Sequence, residues 1–253
     1  MALTQVFSYN VLLHIIFSSI SGLLLCVAGG VVLSRDRSAR LNKMFLGFFT
    51  GIGLHQVFDG IMTYFLNGVE DINVANIVRE LSIVSLILGL SFGSLVALNL
   101  YYKETFFTTT KLLIWGSLTV VLIIFGIIGD YVTLVGSGGY GYGDHTPSKI
   151  RELLGWIGIT GSILIYSGII VFFLFLLVRE VVDSRVQRKI LGIIAGFILI
   201  NVVVFFFDIA FVFPLFVQII AEPFLHFLAH TIALLGGILT IGVLWSPMSS
   251  ASS

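Results

Sequence analysis

Seven apolar stretches, each longer than the roughly 20 helical residues needed to cross about 30 Å of hydrocarbon, leave this chain few ways to fold. They cover residues 6–33, 44–68, 76–102, 112–135, 150–178, 190–213 and 223–245. Hydrocarbon offers no water to the backbone N–H and C=O groups, so stretches of this length must satisfy them internally, as helices. Composition agrees: 58% of the residues are hydrophobic and 10% charged, against about a quarter charged in a soluble domain. The sequence therefore predicts an all-α polytopic membrane protein, residues 1–253 forming one domain of seven transmembrane helices. It shows no soluble domain, no domain boundary and no internal repeat.

Orientation is read from the connections. Ten of the thirteen Lys and Arg lie after the first, third and fifth stretches: Arg35, Arg37, Arg40 and Lys43; Lys103 and Lys111; Arg179, Arg185, Arg188 and Lys189. The positive-inside rule makes these connections cytoplasmic, which puts the N-terminus outside and the C-terminus inside. With thirteen acids balancing thirteen bases, no basic surface is left for nucleic acid. The first stretch has no positive charge before it and is too long for a signal peptide, so it reads as a span. The single cysteine, Cys26, excludes an internal disulfide or thiolate cluster and reads as a small packing residue.

Against this apolar background a few polar residues stand out. The second stretch carries Gly47, Gly51, His55 and Asp59 at steps of four, one stripe whose glycines admit a neighbouring helix and whose far end turns polar. The seventh opens with Glu222, His226 and His230, again at steps of four. Counted from the outer helix ends at 1.5 Å per residue, Asp59 lies about nine residues down, His55 about thirteen, His226 about three, His230 about seven and His14 about eight. Glu80 and Asp208 also fall in the outer half, and the inner half has almost no ionisable group.

Ionisable groups inside spans cost a few kcal/mol each and mark functional sites that face the bundle interior. His55, Asp59, His226 and His230 are read as ligands of one metal ion: three imidazoles and a carboxylate suit zinc, and copper or iron also fit. Gln56, Asp208 and Glu222 are candidates to hold the far imidazole nitrogens, with His14 at the edge of the site. His14 taken alone reads as an interhelical packing residue. With water on the metal, Asp59 or Glu80 would serve as the catalytic base. The Gly- and Tyr-rich connection 136–147, which holds His145, reads as a solvated connector.

These residues resemble those of the seven-helix membrane hydrolases that include the alkaline ceramidases and the adiponectin-receptor family. The resemblance implies a zinc held by a His late in the second helix, here His55, and an H-x-x-x-H pair early in the seventh, here His226 and His230, with an acid on the third, here Glu80. Gly51 stands where that family has a Ser. The segments Gly47-Phe-Phe-Thr-Gly-Ile-Gly-Leu-His55-Gln56 and Glu222-Pro-Phe-Leu-His226 are also similar to a prokaryotic membrane family of unknown function, which implies a prokaryotic plasma membrane.

The expected function is zinc-assisted hydrolysis of a lipid amide or ester, with membrane lipid as surroundings and substrate. The alternative is a non-catalytic metal-binding protein or an accessory subunit of a larger respiratory or oxidase complex, partnered by other membrane proteins. A retinal protein is excluded because no lysine follows Lys189. A proton-coupled transporter would need polar groups continuing to the inner side.

Overall fold

The computed structural model describes residues 9–65, 71–129, 134–135, 139–140, 149–212 and 223–245, with backbone alone at 9–10, 72, 104, 134–135, 139–140, 149, 151–152, 156, 201–212, 223–229 and 244–245. Its helices are α1 (Tyr9–Arg35), α2 (Arg40–Tyr64), α3 (Ile72–Tyr102), α4 (Thr109–Gly129), α5 (Lys149–Glu180), α6 (Ser184–Val212) and α7 (Pro223–Trp245). Each expected apolar stretch overlaps one of them, and residues 6–8, 66–68, 130–133 and 213 of those stretches lie outside the described residues. Four (α1, α3, α4 and α5) are long and apolar enough among the described residues to cross a membrane. One boundary differs: the fourth stretch was expected to stay helical to Val135, but α4 ends at Gly129, and Leu134–Val135 pairs antiparallel with Gly139–Tyr140. The β-branched and Gly-rich sequence there favours a short hairpin over a further helical turn.

The connections are fixed locally. Between α1 and α2, the Asp36 carboxylate accepts hydrogen bonds from Ser38 N (2.8 Å), Ser38 Oγ (2.5 Å) and Ala39 N (3.2 Å). The Ser38 bonds chiefly hold that carboxyl below its usual range. Asp71 caps α3 by accepting from Val74 N at 3.1 Å. At the other end α3 stops at Lys103, whose φ of 55° turns the chain into the 3-10 turn Lys103–Phe106. α2 packs against both of its sequence neighbours, α1 and α3.

The helices close into a ring: α1 packs on α2, α2 on α3, α3 on α5, α5 on α6, α6 on α7, and α7 back on α1. α4 lies outside this ring against α3 and α5. Burial follows the arrangement, since 78% of the most apolar stretch of α3 is buried against 22% in α4. Inside the ring, Phe48 of α2 stacks on Phe197 of α6 with centroids 4.4 Å apart. A Cβ on Gly93 of α3 would crowd both rings and Ile170 of α5. Outward, α4 exposes Leu113 (65%) and Ile114 (66%), an apolar surface that suits hydrocarbon and not water.

Candidate functional site

Glycines set the register that assembles the site. Between α1 and α2, a Cβ on Gly22 would overlap the Gly53 carbonyl, one on Gly29 would press on Leu46 and Phe49, and one on Gly60 would overlap Ser18. Followed to the ends of the two antiparallel helices, this register brings His14 level with Asp59. Ser21 Oγ, donating to Gln56 Oε1, locks the same pair. Between α2 and α3, a Cβ on Gly51 would overlap Gly89 and one on Gly47 would strike the Phe92 ring. That register brings His55 level with Ser82.

The stripe of four on α2 therefore divides. Steps of four residues advance about 400°, so each position drifts about 40° around the helix. Gly47, Gly51 and His55 still face α3, whereas Asp59 has turned towards α1 and α7. There Asp59 Oδ2 lies 2.9 Å from His14 Nε2 and 3.3 Å from His230 Nε2. The two imidazole rings are tilted, with centroids 5.0 Å apart. One ligating atom from each residue lies within 4.8 Å of the others. Both histidine side chains are buried and Asp59 is 20% exposed.

The sequence expectation placed the second and seventh helices side by side. Asp59 of α2 and His230 of α7 do meet, with α1 packed against both helices and its His14 completing the group. His14, expected at the edge, is thus at the centre. Its signal in the sequence was depth: it sits as far along its helix as Asp59 does along its own.

His55 lies outside this group. Its Nδ1 is 2.7 Å from Ser82 Oγ, and that hydroxyl lies 3.2 Å from the His55 carbonyl oxygen. With the Ser82 proton given to the carbonyl, Oγ accepts from Nδ1–H, so the imidazole keeps its lone pair on Nε2. Gln56 is buried and bonded to Ser21, on the α1 face of α2. Glu80 is exposed on α3 and outside the group. The side chains of His226 and Asp208, and residues Glu222 and His145, lie outside the described residues.

Two imidazole nitrogens on one carboxylate oxygen can do two things. Each can donate an N–H to the oxygen, tying three helices together, or all three atoms can turn their lone pairs to one cation. Tetrahedral zinc with bonds of about 2.0–2.2 Å separates its ligand atoms by about 3.3–3.6 Å. The His230–Asp59 spacing of 3.3 Å meets this, and the His14–Asp59 spacing of 2.9 Å needs a few tenths of an ångström of opening. Two imidazoles and a carboxylate are donors of the kind that transition metals take, and their ligating atoms lie within 4.8 Å of one another. No known protein family, curated protein or solved structure matches the chain.

Proposed function

We propose that this is an integral membrane protein of seven spans, N-terminus outside and C-terminus inside, that holds one divalent metal ion, zinc by preference, between His14, Asp59 and His230. The observation that carries the reading is the convergence of these three side chains, from three different helices, within 4.8 Å. Nitrogen and carboxylate donors select zinc, copper or iron over calcium or magnesium. His226, one turn before His230 on α7, is the natural fourth donor if the site is closed.

Three protein ligands leave a position for water, the arrangement that catalytic zinc sites keep open. A metal held by these residues would supply a Lewis acid and lower the pKa of a bound water towards 7. The residues of this chain divide the remaining work. Asp59, His14 and His230 hold the ion, and His55, one turn from Asp59 on α2, takes up a proton on the Nε2 that Ser82 leaves with its lone pair. The substrate class that suits a site within the bilayer is a lipid amide or ester. On the local likeness of α2, the membrane is a prokaryotic plasma membrane.

The test is turnover of a fluorescent ceramide and a fluorescent phospholipid ester by zinc-loaded protein in lipid nanodiscs. Expected is hydrolysis of one of them, abolished by chelation and by Asp59→Asn. Stoichiometric metal without turnover of either would contradict the hydrolase and leave the alternative, a metal-binding protein or accessory subunit. Hydrogen-bond-length Nε2–Oδ2 spacings favour that second reading, because a group that also ties three helices together serves a structural role without an open position.

A further inference from the structure

Gln56 is a deeply buried polar side chain, 3% exposed, that the chemistry proposed above does not use. It stands three residues before Asp59 on α2, a turn of about 300°, so the two lie within about 60° of each other around the helix. Both meet α1, where His14, Ser18 and Ser21 stand at steps of four and three on one face. A polar strip therefore runs along the seam between the helices, from His14 with Asp59 to Ser21 with Gln56.

The protons along this strip can be assigned. Ser18 Oγ donates to the Ile15 carbonyl at 3.3 Å. Ser21 Oγ carries one proton and has two acceptors in reach, the Ser18 carbonyl at 3.0 Å and Gln56 Oε1. If that proton goes to Oε1, both amide N–H groups of Gln56 stay unspent, because the amide nitrogen donates to no described residue. If it goes to the Ser18 carbonyl, the amide turns over, gives one N–H to Ser21 Oγ and keeps the other. Either assignment leaves an N–H without an acceptor among the described residues, in a buried side chain where such donors are normally met. Along α2 the rise from Gln56 to Asp59 is about 4.5 Å. An oxygen on a cation held by Asp59 stands about 2 Å from the ion, and an N–H···O bond adds about 2.9 Å, so the amide lies at a depth such an oxygen can reach. We infer that the Gln56 amide donates to the carbonyl oxygen of the lipid amide or ester bound at the His–Asp group, with Ser21 positioning the amide. The inference rests on the hydrolase reading above and adds to it the donor that receives the oxygen on which negative charge grows during attack.

The test uses full-length, zinc-loaded protein in lipid nanodiscs and two probes that cannot be cleaved, the ketone analogues of ceramide and of a phospholipid ester, each labelled with carbon-13 at the carbonyl. Wild type binds one of them, and its labelled carbonyl stretch lies at lower wavenumber than in Gln56→Met, whose dissociation constant is roughly two- to tenfold higher. Ser21→Ala, which frees the amide to rotate, gives an intermediate stretch. Turnover separates the roles further, since Gln56→Met lowers kcat by more than it raises KM. Because the N–H has no partner to lose in the ligand-free protein, Gln56→Met keeps the wild-type unfolding midpoint and metal content. Equal carbonyl frequencies in wild type and Gln56→Met, the result if the amide meets only water, overturn the inference while leaving the ion site standing. A lowered midpoint or lost metal in Gln56→Met without ligand overturns it as well, by showing a structural role. Binding of neither probe by zinc-loaded wild type overturns the inference together with the substrate class, and negligible zinc in wild type overturns the ion site on which both rest.

Discussion

Asp59 gathers the site because a carboxylate oxygen in a low-dielectric interior needs more than one donor or a cation. His14 and His230 reach that oxygen from two different helices, so removing either leaves the other partner in place but ends a three-ligand set. In unfolding titrations, zinc at about 100 times its Kd is expected to stabilise wild type by about 2.7 kcal/mol. His14→Ala should lose that increment, and an equal increment in the variant would speak for packing alone. Ser82→Ala separates positioning from binding, since it removes the acceptor of His55 Nδ1–H and touches none of the three ligands. It should leave metal content unchanged while lowering hydrolytic turnover, with a stability loss of about 1 kcal/mol. Wild-type turnover in Ser82→Ala would remove His55 from the mechanism. His230 on the seventh helix and the acid on the second were legible in the sequence as polar residues in an apolar span. The place of His14 was not, because a lone polar residue carries no i, i+4 partner to mark its face.

At the scale of helices, α2 is held on both sides by glycine contacts, Gly51 against Gly89 of α3 and Gly53 and Gly60 against α1. The sequence showed the small-residue stripe but not which neighbour it met. It also merged Asp59 with that stripe, because a period of four lags the helical 3.6 by only about 40° a step and the drift shows after several steps. Gly51→Val puts two methyl groups where the α3 backbone already lies, so α2 and α3 must separate. Overpacking of this kind costs about 1–3 kcal/mol and should break the His55–Ser82 contact, read as a lower unfolding midpoint in detergent. Gly116→Ala on α4, where a Cβ meets nothing within 4 Å, should move the midpoint little. Similar losses in both variants would contradict the assigned helix contacts.

For the whole molecule, the apolar stretches located the helices because bilayer thickness fixes a length that few other folds use. They did not locate the ring, whose closure through α1 and α7 depends on tertiary packing between the first and last described helices. That closure is what lets residues 14, 59 and 230 meet. The orientation proposed from the basic connections has a direct test: in a Cys26→Ser background a cysteine introduced at Ser38 should react with an impermeant maleimide only from the cytoplasmic side. Labelling from outside would invert the molecule.

The central claim is that His14, Asp59 and His230 share a cation. Elemental analysis of the purified chain, wild type beside His14→Ala, Asp59→Asn and His230→Ala, measures it most directly. Near-stoichiometric zinc is expected in wild type and a loss of most of it in each variant, whereas negligible metal in all four proteins, or wild-type metal in the three variants, would rule a shared cation out.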